Sequence, residues 1–245
     1  MKADPADQRR LLDLQAIDTG LAQLAHRERN LPERAELERL DGELQKATDE
    51  QVRAQTAADD LDRDITRAER DVDQVRQRAE RDRQRLESGG GGAKELESLQ
   101  HELASLARRQ SELEDAELEL MERREAADTE LHEAAERAAS VRGERETAEQ
   151  RRDAALVEIS GEQQRLAGER EPLAGSLPPD LLGLYERIRA NTGIGAAMLR
   201  ARRCEGCRLE LSGSELATVR STAPDEVVRH DDCGRILVRT DQSGL

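Results

Sequence analysis

The sequence predicts a mainly α protein: a long antiparallel helical hairpin followed by a small, separate C-terminal module. Three observations predict it. Apolar residues recur in two rows at alternating three- and four-residue spacing, four successive glycines separate the rows, and the composition changes abruptly at Glu171-Pro172, after which all three cysteines lie.

Composition sets the outer bounds. The chain has 245 residues, 38% of them charged, with one tyrosine and neither Phe nor Trp. Aromatic side chains normally fill much of a wide core, so one broad core over this length is excluded. Such a composition fits long helices or a disordered polar chain, and periodicity decides between them. The net charge of −15 argues against the whole molecule binding nucleic acid, because phosphate contacts need positive surface.

The first row runs Leu37, Leu40, Leu44, Ala47, Gln51, Ala54, Ala58, Leu61, Ile65, Ala68, Val72, Val75, Ala79, Asp82, Leu86. All but Gln51 and Asp82 are apolar, whereas among the intervening positions only Val52 and Ala57 are. That contrast marks a narrow coiled-coil seam. The row stops at Ser88 and Gly89–Gly92; each glycine costs about 1 kcal/mol in a helix relative to alanine. A second row begins at Leu96 and continues through Leu99, Leu103, Leu106, Gln110, Leu113, Glu117, Leu120, Arg124, Ala127, Leu131, Ala134, Ala138 and Val141 to Leu166, with Gln110, Glu117 and Arg124 as polar members of this stretch. It is poorer from Arg145 onward. A short link makes the two helices antiparallel neighbours, and facing positions are those whose numbers sum to about 185, such as Val72 with Leu113 and Ile65 with Leu120.

An earlier segment, Leu14, Ile17, Leu21, Leu24 and Leu31, has the same spacing, and Pro32 predicts a break or kink after it. The expected hairpin domain is then residues 1–171, with arms at about 8–88 and 93–171 and a tip at 89–92. Each arm is on the order of 115 Å long at 1.5 Å per residue. Residues 172–245 form the second domain.

In that domain Leu177-Pro178-Pro179-Asp180 reads as a turn and helix start. Leu181, Leu184, Tyr185 and Ile188 recur at helical spacing, Asn191-Thr192-Gly193 ends the helix, and Ala196–Leu199 and Ile236–Val238 read as strands. Cys204 and Cys207 are separated by two residues, as are His230 and Cys233. That spacing lets both side chains of a tight turn reach one ion, and two such knuckles supply a tetrahedral Zn²⁺ set. Gly206 and Gly234 are expected at left-handed positions of the knuckles. With all four positions filled by protein ligands the zinc is structural, one ion per chain. The fold is thus expected to be a coiled-coil hairpin followed by a small zinc ribbon. An odd number of cysteines, clustered in this way, reads as metal binding and not as a disulfide framework.

The arrangement resembles a bacterial C4-type zinc-ribbon family with an N-terminal coiled-coil hairpin. The likeness is carried by Lys94-Glu95-Leu96, Leu113-Glu114-Asp115, Glu119-Leu120-Met121-Glu122, Tyr185-Glu186-Arg187-Ile188-Arg189, Cys204-x-x-Cys207 and Cys233-Gly234-Arg235-Ile236-Leu237. This family usually has cysteine where the present chain has His230. The site is then Cys₃His, and binding needs a neutral His230, so mild acid opposes it. The resemblance implies two kinds of role: nucleic-acid binding through the ribbon, or a chaperone or adaptor for flagellar or type III secretion components.

No nucleophile–base constellation, phosphate-cradling loop or distinctive carboxylate pair is present in the sequence, so the chain reads as non-enzymatic, with no small-molecule substrate. The N-terminus has no secretory h-region and no apolar run approaches a membrane span, which predicts a cytoplasmic protein without a membrane partner. The leading expectation is an adaptor or scaffold that binds another protein, with Gly89, Gly90, Gly91, Gly92, Lys94 and Glu95 at the tip as contact candidates. The alternative is nucleic-acid binding through Arg200, Arg202, Arg203 and Arg208, which flank the first knuckle and could contact phosphate.

Overall fold

The computed structural model describes residues 1–89 and 91–245; Gly90, one of the tip candidates, lies outside the described residues. The elements are α1 (Pro5–Arg29), α2 (Pro32–Glu87), α3 (Ala93–Gly175), α4 (Pro179–Thr192), β1 (Ala196–Arg200), β2 (Arg203–Cys204), α5 (Gly213–Ser221), β3 (Val228–Arg229) and β4 (Ile236–Val238). They form two compact units. Ala35–Gln150 is one; Met1–Arg34 together with Arg151–Leu245 is the other. The expected boundary after residue 171 differs from this division, because the end of α3 packs within the second unit, against α1.

The hairpin unit follows from its seam. Every position of the first row from Leu37 to Leu86 is buried or half-buried, whereas Val52 and Ala57, the two apolar residues off the row, are exposed. Leu37, Leu40 and Ala148 form one buried cluster with Val141 against it. Ion pairs cross between the helices: Arg145 with Asp41 at 2.5 Å, Arg137 with Glu50 at 3.7 Å, Arg124 with Asp62 at 2.7 Å, Arg76 with Glu114 at 2.6 Å and Arg85 with Glu95 at 4.0 Å. The numbers in these pairs sum to between 180 and 190, around the expected 185. Exposed pairs of this kind contribute little stability, of order 0–1 kcal/mol each. They do account for Arg124 and Arg145 in an apolar row: the aliphatic stems lie on the seam and the guanidinium groups reach carboxylates on the other helix.

In the second unit α1 starts at Pro5, where the Asp4 carboxylate accepts from the Ala6 amide at 2.7 Å. It ends at Asn30, one residue before Leu31-Pro32. Contacts from α1 to the later part of α3 run antiparallel: Arg27 with Glu158 at 3.2 Å, Gln163 Nε2 donating to Glu28 at 3.2 Å, and Arg170 Nε donating to Asp18 at 2.7 Å. The helix was expected to stop at Glu171; instead α3 runs through Pro172 to Gly175. Pro172 falls in the last turn, so few helical hydrogen bonds follow it, and the Ser176 amide still reaches the Pro172 carbonyl at 3.1 Å. Ala174 and Leu177, just beyond the proline, are buried in the core and reward the extra turn.

The sheet has the order β2-β1-β4-β3, with β1 and β4 parallel and the outer pairs antiparallel. Period-2 alternation divides its side chains between two clusters. Ala196, Ile236 and Val238 join Leu11, Leu14, Leu181, Tyr185 and Ile188 on one side. Ala197, Leu199 and Leu237 join Cys204, Leu211 and Val219 on the other. This explains why Ile236-Leu237-Val238 is apolar without interruption: both faces of the strand are covered. The N-terminal residues are part of this unit too. The Ala3 amide donates to the Asp225 carbonyl at 2.7 Å, and the Val227 amide to the Met1 carbonyl at 2.9 Å. Arg239 gathers the turn after α5, donating at 2.7 Å to each of the carbonyls of Thr222, Ala223 and Glu226.

A buried polar node joins α1, α3, α4 and the start of β1. The Asp18 side chain, only 2% exposed, accepts from Tyr185 Oη at 2.7 Å and Arg170 Nε at 2.7 Å, with Arg189 Nε at 3.3 Å. Gln15 Oε1 accepts the Gly195 amide at 2.7 Å. Burial raises the Tyr185 phenol above its usual range, and the bond to Asp18 pushes in the same direction. Removing one member of a buried charged cluster strands the others, which typically costs about 3–5 kcal/mol, while deleting one neutral hydroxyl costs about 1 kcal/mol. Urea unfolding should therefore show Asp18→Ala losing about 3 kcal/mol and Tyr185→Phe about 1 kcal/mol; equal effects would contradict the node.

Candidate metal centre

Two turns at the ends of short strand pairs bring the predicted ligands together. The first knuckle leaves β2: Leu199 pairs with Cys204 across β1 and β2, the Cys204 amide donates to the Leu209 carbonyl at 2.9 Å, and the Arg208 amide returns to the Cys204 carbonyl at 2.7 Å. The second lies between β3 and β4. There the His230 amide donates to the Arg235 carbonyl at 2.9 Å and the Gly234 amide to the His230 carbonyl at 2.7 Å. The two knuckles thus share one local geometry, an amide four residues on bonding back to the carbonyl of the first ligand.

That geometry corrects one expectation. The left-handed residue in each knuckle directly follows the second ligand: Arg208 with φ 64° after Cys207, and Gly234 with φ 70° after Cys233. Gly234 is placed as expected, but Gly206 is not left-handed. Gly206 is needed for space instead. A Cβ there would come within 2.7 Å of Arg235 Cδ and 2.9 Å of Ala197 Cβ.

One ligand atom from each of Cys204, Cys207, His230 and Cys233 lies within 4.8 Å of all the others. His230 Nδ1 is 3.3 Å from Cys207 Sγ and 3.1 Å from Cys233 Sγ. Ligand atoms around tetrahedral zinc are separated by roughly 3.5–3.8 Å given Zn–S near 2.3 Å and Zn–N near 2.0–2.1 Å, so the cluster has the right size for one zinc. The donor chemistry fits as well: three sulfurs and one imidazole nitrogen suit Zn²⁺ and leave no coordination position for water. Cys204 and His230 are buried, and Cys207 and Cys233 are half-buried. The ribbon therefore holds one structural zinc on these four residues.

Protonation of the metal-free set is uneven. Burial pushes the Cys204 thiol up to about 11. Burial also acts upward on Cys207, but the Leu209 amide, the neighbouring sulfurs and the Arg235 charge outweigh it and hold that thiol below its ordinary value. Cys207 is thus the readier thiolate, and Zn²⁺ must displace a proton from Cys204. With zinc and three thiolates the centre carries one net negative charge, next to the Arg235 guanidinium.

The four candidate arginines are Arg200 at the end of β1, Arg202 in the β1–β2 turn, Arg203 at the start of β2 and Arg208 in the knuckle, all exposed. Arg202 donates to the Gly244 carbonyl at 3.1 Å. The tip candidates belong to the hairpin unit. Gly89, Gly92, Lys94 and Glu95 are exposed and Gly91 is half-buried. Sequence reasoning missed Glu215, which faces His230 from α5. Its signal was the Ser212-x-x-Glu215 spacing of a helix-start capping box, and α5 does begin with that box.

A hairpin coiled coil joined to a four-ligand ribbon defines a class, the zinc-ribbon coiled-coil proteins. Residues 14–193 match the CT398-like coiled coil hairpin domain and residues 203–237 the C4-type zinc ribbon domain. The chain belongs to the CT398-like hairpin family, and in its ribbon, which matches a C4 type, His230 stands as the fourth ligand. It is 43% identical over 239 residues to the Mycobacterium tuberculosis protein Rv2229c, covering 98% of each chain. A solved Mycobacterium smegmatis structure superposes with a TM-score of 0.86 at 40% identity, covering 98% of this chain and 100% of that one. The structure of CT398 from Chlamydia trachomatis shares the fold with a TM-score of 0.64 at 19% identity, over 96% and 98% of the two chains.

Metal analysis of protein purified without chelator should give one zinc per chain, and His230→Ala should lower that occupancy. Gly234→Ala forces a left-handed alanine and should cost about 1–2 kcal/mol, whereas Arg208→Gly relieves the same strain and should leave the zinc-bound fold at least as stable. Full occupancy in His230→Ala would contradict the assigned ligand set.

Proposed function

We propose that this protein is a non-enzymatic adaptor that binds another protein, using the hairpin tip and the ribbon as contact surfaces. Its zinc serves the fold and not a reaction. The observation that carries the reading is what the surface lacks for nucleic acid and offers to protein. The chain's one aromatic residue, Tyr185, is 0% exposed, so there is no exposed aromatic ring to stack on bases. Residues 177–245 hold about ten basic and ten acidic side chains, near neutrality before the thiolates are added. Both fall short of the electrostatic footprint that phosphate binding requires. The hairpin, by contrast, closes its seam within the chain and leaves long charged faces, with Gly89, Gly92, Lys94 and Glu95 near the tip exposed.

The second reading, nucleic-acid binding by the ribbon, rests on the exposed Arg200, Arg202, Arg203 and Arg208 beside the first knuckle. The two readings separate in one set of measurements. Fluorescence anisotropy with labelled RNA and DNA should show no binding that falls steeply with salt, and paired Arg200→Ala and Arg203→Ala should change nothing. The charge reversal Lys94→Glu with Glu95→Lys should release the protein partner recovered from the native cell while leaving zinc content and helicity intact. Salt-sensitive binding abolished by the arginine substitutions would overturn the adaptor reading in favour of the second.

A further inference from the structure

The imidazole of His230 has two nitrogens, and the structure gives each a different neighbour. Nδ1 faces the sulfurs of Cys207 and Cys233 at 3.3 and 3.1 Å, so it is the nitrogen on the metal side. A neutral imidazole that offers Nδ1 as a ligand carries its hydrogen on Nε2. The His230 side chain is 0% exposed, so water cannot serve that N–H, and Nε2 has no hydrogen-bond partner.

A second orphan lies opposite. Glu215 Oε1 is also buried and without a hydrogen-bond partner, and it sits 3.8 Å from His230 Nε2. The other oxygen of the same carboxylate is committed: Oε2 accepts the Ser212 amide at 2.8 Å, while Ser212 Oγ accepts the Glu215 amide at 3.3 Å. The reciprocal cap therefore anchors Glu215 in the first turn of α5 and leaves one oxygen aimed at the ring. Asp232 Oδ2 is 4.0 Å from the same nitrogen, but its side chain is 62% exposed. At 3.8 Å the donor and the acceptor are not yet hydrogen-bonded, but two unpaired buried groups of matching polarity this close need only a small side-chain movement to satisfy each other.

We infer that Glu215 is the positioning residue of the metal centre: its Oε1 accepts the Nε2–H of His230 and so fixes the ring in the tautomer and orientation that present Nδ1 to zinc. Carboxylates commonly orient metal-bound histidines in this way. The capping box thus has two functions, one oxygen starting α5 and the other holding the ligand. The pairing also bears on why histidine stands at position 230. A cysteine thiolate there would offer Glu215 no hydrogen and would face a like charge. The inference concerns the metal centre and is independent of which partner the protein binds.

The test is a double-mutant cycle on the full chain, with zinc affinity measured by competition with the chromophoric chelator 4-(2-pyridylazo)resorcinol at fixed pH. Glu215→Ala should weaken zinc binding about 10-fold or more. In the His230→Cys background the same substitution should leave affinity unchanged or improve it. Loss of the helix cap would act equally in both backgrounds, so an equal loss in both would reduce Glu215 to a cap, and no loss in either would also overturn the inference. NMR gives a second readout should His230→Cys fail to hold zinc. Long-range ¹H–¹⁵N correlations of the zinc-loaded protein should show the Nε2–H tautomer, with slow exchange of that hydrogen that accelerates in Glu215→Ala. A ring protonated on Nδ1, or an exchange rate indifferent to Glu215, would contradict the assignment.

Discussion

Three sulfurs and an imidazole nitrogen held within 4.8 Å of one another are the constraint on which the ribbon depends. As thiolates the sulfurs repel each other, and as thiols they cannot hold zinc. A divalent cation at the centre converts that repulsion into the attraction that closes both knuckles. Little else could do so, because the apolar cluster beside the ligands is small: Ala197, Leu199, Leu211, Val219 and Leu237, with Cys204 itself among them. Metal binding and folding are then one process, as is usual for small structural zinc domains.

The sheet carries this constraint into the rest of its unit. Leu237 faces the ligand side, while Ile236 and Val238 on the same strand face the core made by α1 and α4. At the other edge of that core the Asp18 and Gln15 side chains hold Tyr185, Arg170 and the Gly195 amide, which places the chain just before β1. An N-terminal helix and a C-terminal ribbon nearly two hundred residues apart in sequence are thereby parts of one unit.

Both features that define the class were legible in the sequence, for different physical reasons. The seam was legible because a two-helix coil admits few polar side chains at alternating three- and four-residue spacing, and the row from Leu37 to Leu86 obeys that rule. The ligands were legible because a knuckle fixes the spacing between them. What the sequence left hidden depends on neighbours distant along the chain. Gly206 looked like a turn glycine, but its constraint is the Arg235 and Ala197 side chains lying against it. Pro172 looked like a helix end, but tertiary burial of Ala174 and Leu177 carries the helix past it. The two-residue strands β2 and β3 are defined by pairing and have no periodicity of their own. Glu215 was readable as a cap, and its second role required knowing where His230 would stand.

The most direct test of this account is X-ray absorption at the zinc edge on protein purified with its native metal. A first shell of three sulfurs near 2.3 Å and one nitrogen near 2.0–2.1 Å is the predicted result. A shell dominated by oxygen and nitrogen, or one with fewer than three sulfurs, would contradict it and with it the way this ribbon is held together.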